Sequence, residues 1–265
     1  MAFTDERVSE VSRRLRSRCD AILAAVWFMP EASEVGLGGR AACMGAISGA
    51  SAAALFAPLE PRSVAAAVDE AWTRTTPGEL LETRLRSAVA YLEHVIGPAP
   101  EGLPRATELL QPVATAGTAE GHPVYAGLRT LEWPGTPLGD LWRSCDLVRE
   151  RRGDSHRNAW VAAGVDPVEL CMLTDLWRGA SIASASGTWP EADRAAATQR
   201  LRERGLVDDG ELTAEGRAFR DDIELATDRQ EHAAVEALGD DVDELFSLFA
   251  PWARAVIESA TSRFS

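Results

Sequence analysis

The segment RERRGDSH, residues 149–156, is the densest polar cluster of the chain and holds side chains that could do acid–base chemistry. His156 titrates near neutrality and Asp154 lies two residues before it, so the pair predicts a general acid or base, or a ligand donor. The alternative is structural: Asp154 and Ser155 cap a helix that begins here, and His156 is a satisfied surface or interface group. Trp160, one helical turn further, would share the face of His156.

A second candidate is the small-residue segment FMPEASEVGLGGRAACMG, residues 28–45. Its glycines and alanines allow a backbone or a ligand to approach closely. Arg40 lies among them and could clamp a carboxylate or a phosphate, or alternatively pair with Glu31 to brace the loop. The predicted ligand-binding residues are Glu31, Arg40, Met44, Trp27 and Trp160, and the predicted catalytic residues are His156 and Asp154. We expect Arg40 and His156 to approach one cavity, walled by tryptophans.

Tryptophan is prominent among the aromatic residues, with eight tryptophans against seven phenylalanines and two tyrosines. Most should pack in the core, because they lie on predicted helices at packing spacing. A few of them around a cavity would favour a flat aromatic ligand.

The chain contains no P-loop, HExxH, GxSxG or CxxC motif, and no strand precedes GLGGRAAC as a dinucleotide site requires. None of the four histidines has a second His or Cys at metal-ligand spacing, so we expect no metal site. The cofactor stays unknown, with a tetrapyrrole held by one histidine as an alternative. The four cysteines lie far apart, which predicts reduced, mostly buried thiols.

The charge balance disfavours anionic partners. Among 265 residues there are 41 acidic and 27 basic ones, every basic one an arginine, and the net charge is −14. A chain so negative repels nucleic acid and anionic membranes unless its arginines cluster. No stretch reaches the roughly 18 apolar residues of a membrane span, and the acidic start MAFTDERVSE is unlike a signal peptide, so we expect a cytoplasmic protein.

Almost every apolar run has helical spacing, which predicts a mainly α protein. Three consecutive helices are predicted at 138–152, 155–163 and 167–178, the first ended by Gly153. An N-terminal helical domain should span 1–135, and a winged-helix-like helical domain 136–265.

There is a faint internal echo, because RSRCDAIL at 16–23 resembles WRSCDLVR at 142–149. It is either coincidence in a chain rich in alanine and arginine, or a trace of two halves of related helical topology that face each other.

Residues 197–229, ATQRLRERGLVDDGELTAEGRAFRDDIELATDR, carry the strongest local resemblance. A helix, a turn at Asp209-Gly210 that could link strands Leu206-Val207 and Glu211-Leu212, and a second helix resemble the recognition helix, wing and following helix of MarR-type winged-helix regulators. In that family the first helix enters the DNA major groove. Here, however, the wing holds three acids and no base, so we expect no DNA binding.

The wider chain resembles a poorly characterised actinobacterial family of two-part helical proteins with a winged-helix C-terminal half. The segments that carry the resemblance are FMPEA (28–32), GLGGRAACMG (36–45), LVRERRGDSH (147–156) and RGLVDDGELTAEGR (204–217). Cys43 departs from the family, which prefers proline there, and this puts the role of that loop in doubt. The resemblance implies a fold but no established reaction.

Three functions stay open at the level of sequence. The first is a small-molecule-binding protein whose groove, between the two helical parts, takes an aromatic or anionic hydrophobic ligand. The second is an enzyme of specialised metabolism that uses His156 as acid or base. The third is a MarR-like ligand-responsive transcriptional regulator. A small-molecule ligand is the expected partner, with neither DNA nor membrane, and a homodimer is one alternative for the oligomeric state.

Overall fold

The computed structural model describes residues 4–24, 32–179 and 188–262, and these residues are mainly α-helical, as the apolar spacing predicts. The helices are α1 (Asp5–Leu23), α2 (Ala32–Ala41), α3 (Gly49–Leu55), α4 (Pro61–Arg74), α5 (Pro77–Ile96), α6 (Leu103–Thr115), α7 (Pro123–Arg129), α8 (Pro137–Ala162), α9 (Pro167–Arg178), α10 (Glu191–Glu203), α11 (Ala214–Arg229), α12 (His232–Leu238) and α13 (Val242–Ser262). A 3-10 turn, Ala42–Met44, follows α2, and two short strands, β1 (Val207–Asp208) and β2 (Glu211–Leu212), precede α11. Among the described helices, none is long and apolar enough to cross a membrane.

The central element is α8, which packs against α1, α5, α6, α7 and α11. Pro137 begins it, where the missing N–H of proline leaves no helical hydrogen bond unmade. Its 26 residues include hydrophobic and charged side chains that are buried alike. Every element that packs against α8 must therefore supply partners for its buried charges as well as apolar contacts.

The predicted helix break at Gly153 is wrong. α8 continues to Ala162, so Asp154 and Ser155 lie in mid-helix and do not cap an N-terminus. Gly153 suggested a boundary because glycine disfavours a helix interior, and the charged run around it suggested a solvated surface. In the fold, Arg152 and Asp154 are buried. Arg152 pairs with Asp228 of α11, and Asp154 accepts from the Tyr125 N–H of α7. This polarity therefore marks contacts within the protein.

Two large hydrophobic clusters form the core, and α8 contributes to both. The first cluster has members from every helix from α1 through α7, from the first half of α8, and from α12 and α13. The second cluster joins the end of α8 to α9, α10, the wing and α11, with Trp160 among its buried members. The domain boundary at residue 135 stays a prediction.

The wing forms where the sequence places it. β1 pairs antiparallel with β2, with Val207 opposite Leu212 and Asp208 opposite Glu211. Asp209 and Gly210 both have positive φ, +44° and +81°, as a two-residue hairpin turn requires. The first strand lies one residue later than predicted. The Thr213 hydroxyl then caps α11 by accepting from the Gly216 N–H at 3.0 Å.

The two echoing segments pack against each other, since α1 lies along α8. All four cysteines are buried, and Cys19 and Cys145 from the two segments meet. Burial, and then a hydrogen bond with Cys19, raise the pKa of the Cys145 thiol. Related topology of the two halves stays a hypothesis.

The continuity of α8 can be tested with Gly153→Ala. A methyl group at Gly153 would lie 3.7 Å from Glu150 Oε2, an ordinary contact, and the backbone there is helical. Because alanine loses less chain entropy than glycine on entering a helix, we expect stabilisation by about 0.5–1 kcal/mol in urea unfolding.

The matched control is Gly164→Ala, just beyond the end of α8. Gly164 has equally open space but a φ of +69°, so alanine there should destabilise by about 1 kcal/mol. Similar losses for both variants would mean that the helix ends at Gly153.

Candidate functional site

Buried carboxylates of α8 hold two other helices through bidentate arginine pairs. Asp146 accepts from Arg84 of α5 at 2.5 and 2.9 Å. One turn further, Glu150 accepts from Arg40 of α2, with both N–O distances at 2.7 Å. Bidentate geometry fixes orientation as well as distance. These pairs therefore fix how α2 and α5 lie against the central helix.

The other side of α8 presents arginines to acidic partners. Arg152 Nη2 lies 3.0 Å from Glu224 Oε2 and 2.6 Å from Asp228 Oδ1, both on α11. Arg151 pairs with Glu231 at 3.4 Å, just before α12. Arg152 thus attaches α11 to α8, and Arg151 attaches the junction between α11 and α12 to the same helix.

Arg40, predicted to clamp a ligand, is engaged within the protein. Besides binding Glu150, its guanidinium lies 4.5 Å from the centre of the Phe56 ring. Burial alone would raise the pKa of Glu150, but Arg149 and Arg40 hold it well below its usual range. The alternative partner that the sequence suggested, Glu31, lies outside the described residues. The Arg40 guanidinium thus binds an anion, as its residue type predicts, but that anion is a carboxylate of α8.

His156 faces α11 and is held neutral. The Thr227 hydroxyl donates to the Ile223 carbonyl at 2.8 Å, so it accepts from His156 Nδ1–H at 3.0 Å. Burial lowers the pKa of His156 to about 3, with Glu224 opposing the shift and Arg220 adding to it. A base with so low a pKa is weak at neutral pH, because general-base catalysis favours a pKa near the working pH.

Asp154 turns to a different helix. Its carboxylate accepts from the Tyr125 N–H at 3.0 Å in the first turn of α7, and it also pairs with Arg157. Burial raises its pKa, and the hydrogen bond from Tyr125 opposes that shift. The two predicted catalytic residues therefore have different partners, Asp154 on α7 and His156 on α11.

Sequence reasoning missed a buried polar chain around Ser155. His122 Nε2 lies 3.0 Å from Ser155 Oγ, which lies 2.6 Å from Glu231 Oε1. His122 Nδ1 lies 2.8 Å from the Glu120 carbonyl. The serine is fully buried in mid-helix, so no substrate reaches it in this conformation. No spacing in the sequence could have indicated this chain, because its members lie 33 and 76 residues apart.

A groove of about 390 Å³ opens between α3 and α4 on one side and α8 and α9 on the other. Its lining residues are Ala50, Ala53, Ala54, Ala57, Leu59, Pro61, Trp160, Pro167 and Trp189. The Trp189 indole is fixed by its N–H, which donates to the Pro58 carbonyl at 2.9 Å. None of the described residues that line the groove is charged. The groove thus offers small alanines, which leave room, and two indole rings.

Of the predicted ligand-binding residues, Trp160 lines this groove. Among the residues that the structure describes, Arg40 and Met44 lie elsewhere: Arg40 binds Glu150, and Met44 is half-buried against the first cluster. Trp27 and Glu31 lie outside the described residues. The structure therefore brings Trp160 together with Trp189, a residue that the sequence did not single out.

The helix in the position of a recognition helix, α10, is mostly exposed. It buries Ala197 and Leu201 against the second cluster. Arg200, however, pairs with Glu169 at 2.8 Å and with Asp166. This arginine is therefore already neutralised by acidic residues of the same protein.

The wing carries exposed acids. Asp208, Asp209 and Glu211 all face solvent, and Asp208 stands directly opposite Glu211. Residues 154–231 hold nine arginines and sixteen acidic residues. A phosphate backbone would meet negative charge here, whereas DNA-binding surfaces supply positive charge.

Comparison with known proteins gives one match. A family model described as a helix-turn-helix family matches residues 12–262. No curated protein matches the chain, and no solved structure does. Within the described ranges, no group of three or more His, Cys, Asp or Glu side chains is placed to hold a metal ion.

The burial of His156 predicts a pH-dependent loss of stability. An unfolded histidine titrates at about 6.5, whereas His156 in the folded chain titrates at about 3. Between these values the unfolded chain binds a proton that the folded chain does not, so stability falls as the pH drops below about 6.5. For His156→Gln, we expect the stability lost between pH 6.5 and pH 5, measured by urea unfolding, to be smaller by about 1.5 kcal/mol.

His94→Gln serves as the control, because His94 is exposed on α5. That variant should lose as much stability as the wild type over the same pH range. An equal loss in His156→Gln would mean that His156 accepts a proton in the folded chain.

Proposed function

We propose that this chain, which belongs to the helix-turn-helix family, binds a flat, mainly apolar small molecule in the groove beside its winged helix. The observation that carries the proposal is the uncharged groove with Trp160 and Trp189 in its wall. Fold alone does not assign function, so the proposal rests on this site. We also propose, as part of the same assignment, that the chain is related to MarR-type regulators and to the actinobacterial two-part helical family.

The groove has the size and chemistry of a ligand site. Small-molecule pockets span roughly 300–1,000 Å³ and are lined mainly by apolar and aromatic side chains. At about 390 Å³, the groove would accept one or two fused rings. Since the N–H of Trp189 is already bonded to Pro58, its ring offers apolar surface and not a polar contact. A planar aromatic molecule is the ligand class that fits.

The position of the groove supports a sensing or sequestering role. Ala53 belongs to the first hydrophobic cluster and Trp160 to the second, so a bound molecule would contact both. Trp160, Pro167 and Trp189, which precede α10 and the wing, then form one wall of the site. The winged helix does not act as a DNA reader in this proposal. The alternative of an enzyme with His156 as acid or base is the weaker hypothesis, because a pKa of about 3 suits neither role at neutral pH.

The groove can be filled by Ala54→Leu. Ala54 is exposed and lines the groove, so leucine there should occupy the site without disturbing the core. The aromatic dye 1-anilinonaphthalene-8-sulfonate is the probe, and its fluorescence titration measures the dissociation constant. We expect saturable binding to the wild type and at least about tenfold weaker binding to the variant, a loss of about 1.4 kcal/mol.

The matched control is Ala66→Leu, an exposed position on α4 that is not among the groove residues. It should bind the dye as the wild type does, and circular dichroism should be the same for all three proteins. Equal dye binding by Ala54→Leu, or none by the wild type, would contradict a ligand site in this groove.

The second candidate function is a DNA-binding regulator, favoured by the family and by the exposure of α10. Arg202 and Gln199 face solvent on that helix. The acids of the wing oppose this reading, since phosphate contacts supply most non-specific affinity. We therefore keep it as the alternative.

We expect no tight DNA binding at physiological salt. By fluorescence anisotropy with random and upstream duplexes, the affinity should be weaker than the roughly 10⁻⁴–10⁻⁶ M of ordinary non-specific binding. Reversing the wing charge with Asp208→Arg and Glu211→Arg should tighten binding at low salt. The same net change at Glu82 and Glu93, exposed on α5, should tighten it less. Nanomolar, sequence-selective binding by the wild type would make the chain a regulator.

A further inference from the structure

We propose that Arg143 is the centre of a second binding site, one for a small oxyanion such as a phosphate or carboxylate group, where the first turns of α8 meet their neighbours. This site is separate from the groove, and Arg143 is not among the residues that line the groove. Neither the family match nor the proposed function assigns it a role.

Arg143 differs from the other buried arginines. The described residues include five of them: Arg84, Arg143, Arg151, Arg152 and Arg220. Four pair with carboxylates, on Asp146, Glu231, Glu224 and Asp228. Arg143 is also buried, with 6% of its surface exposed. Within the described part of the chain, however, it has no carboxylate partner. Its Nε and Nη1 are buried and donate to no acceptor.

The neighbouring acids are already in use. Both oxygens of Asp146 accept from Arg84. Asp140, one turn before Arg143, accepts from the Gly135 N–H at 2.9 Å. Neither carboxylate is thus left to form the bidentate pair that the other α8 contacts show.

Carboxylates near Arg143 act on its guanidinium without contacting it. Burial lowers the pKa of the Arg143 guanidinium; Asp146 opposes that shift, and Arg84 adds to it. Cys43, which also acts on Arg143, is a neutral thiol, because burial raises its pKa to about 12. Asp140 also opposes the shift. Asp146 is paired with Arg84, however, and within the described residues neither aspartate forms an ion pair with Arg143.

An oxyanion would supply what this region lacks. An unpaired buried charge is strongly unfavourable, and a buried donor without an acceptor adds to that cost. Water could satisfy the two N–H groups but would leave the charge. A phosphate or carboxylate would satisfy both, and arginine is the side chain that binds such groups best.

Thermal unfolding of the full chain tests the site. Inorganic phosphate and acetate are each titrated against sodium chloride at matched ionic strength, so that general salt effects cancel. An anion that binds the folded chain should raise Tm by about 3 °C for each tenfold increase above its dissociation constant. A shift with phosphate alone would assign a phosphate site, and one with acetate alone a carboxylate site.

Arg143→Met removes the charge and keeps the apolar stem. We expect it to abolish the anion-dependent shift while its Tm in chloride stays equal to or above that of the wild type, because an unpaired buried cation is gone. The control is Arg86→Met, since Arg86 is exposed on α5 and pairs at the surface with Glu82. That variant should keep the full shift.

A direct measurement keeps the test independent of folding. Phosphorus NMR line broadening of phosphate reports binding to the folded wild type, and Arg143→Lys replaces the methionine variant if that one does not fold. Loss of the broadening in either variant supports the site. No broadening and no specific shift in the wild type, or a full shift in Arg143→Met, overturns it. Because Ala54→Leu should leave this shift unchanged, failure of the groove and failure of the anion site are distinguishable.

Discussion

Pairing of buried charge along α8 is the constraint on which the rest of this molecule depends. A buried ion whose partner is removed costs about 3–5 kcal/mol, so the paired charges of this helix dictate what lies beside them. Arg84 joins α5 to Asp146, Arg40 joins α2 to Glu150, and Glu224 of α11 joins Arg152. Hydrophobic contact alone is not directional, whereas these pairs specify register. The arrangement of helices around α8 follows from them.

The same helix links this network to the groove. After its charged middle, α8 ends in Ala159 and Trp160, which enter the second hydrophobic cluster. Trp160 is thereby placed opposite the alanines of α3, which belong to the N-terminal part of the chain. The proposed ligand site thus exists because one continuous helix reaches from the first cluster to the second. A helix that ended at Gly153 would leave the position of Trp160 undetermined.

Family membership suggests a DNA-binding surface, whereas the charge of the exposed residues opposes one. The helix-turn-helix match covers nearly the whole chain, and the hairpin with α11 behind it has the geometry of a wing. Nevertheless, the exposed tip is acidic, and Arg200 is neutralised by Glu169. A fold can be kept while the surface that would read DNA is not. The binding site proposed for this chain is therefore the uncharged groove and not the wing.

The sequence by itself determined the local features of this protein. Helical periodicity, the Asp209-Gly210 turn and the acidic wing could all be read directly, because each depends on residues a few positions apart. Tertiary structure alone decided which charge meets which: Glu150 takes Arg40 from 110 residues away, and burial makes His156 a neutral group. Gly153 indicated a helix end because glycine disfavours a helix interior, and the charged run around it resembled a charged surface although it belongs to a charged interior. Only the packing of other helices around α8 distinguishes the two, since burial and pairing are properties of the fold and not of a sequence window.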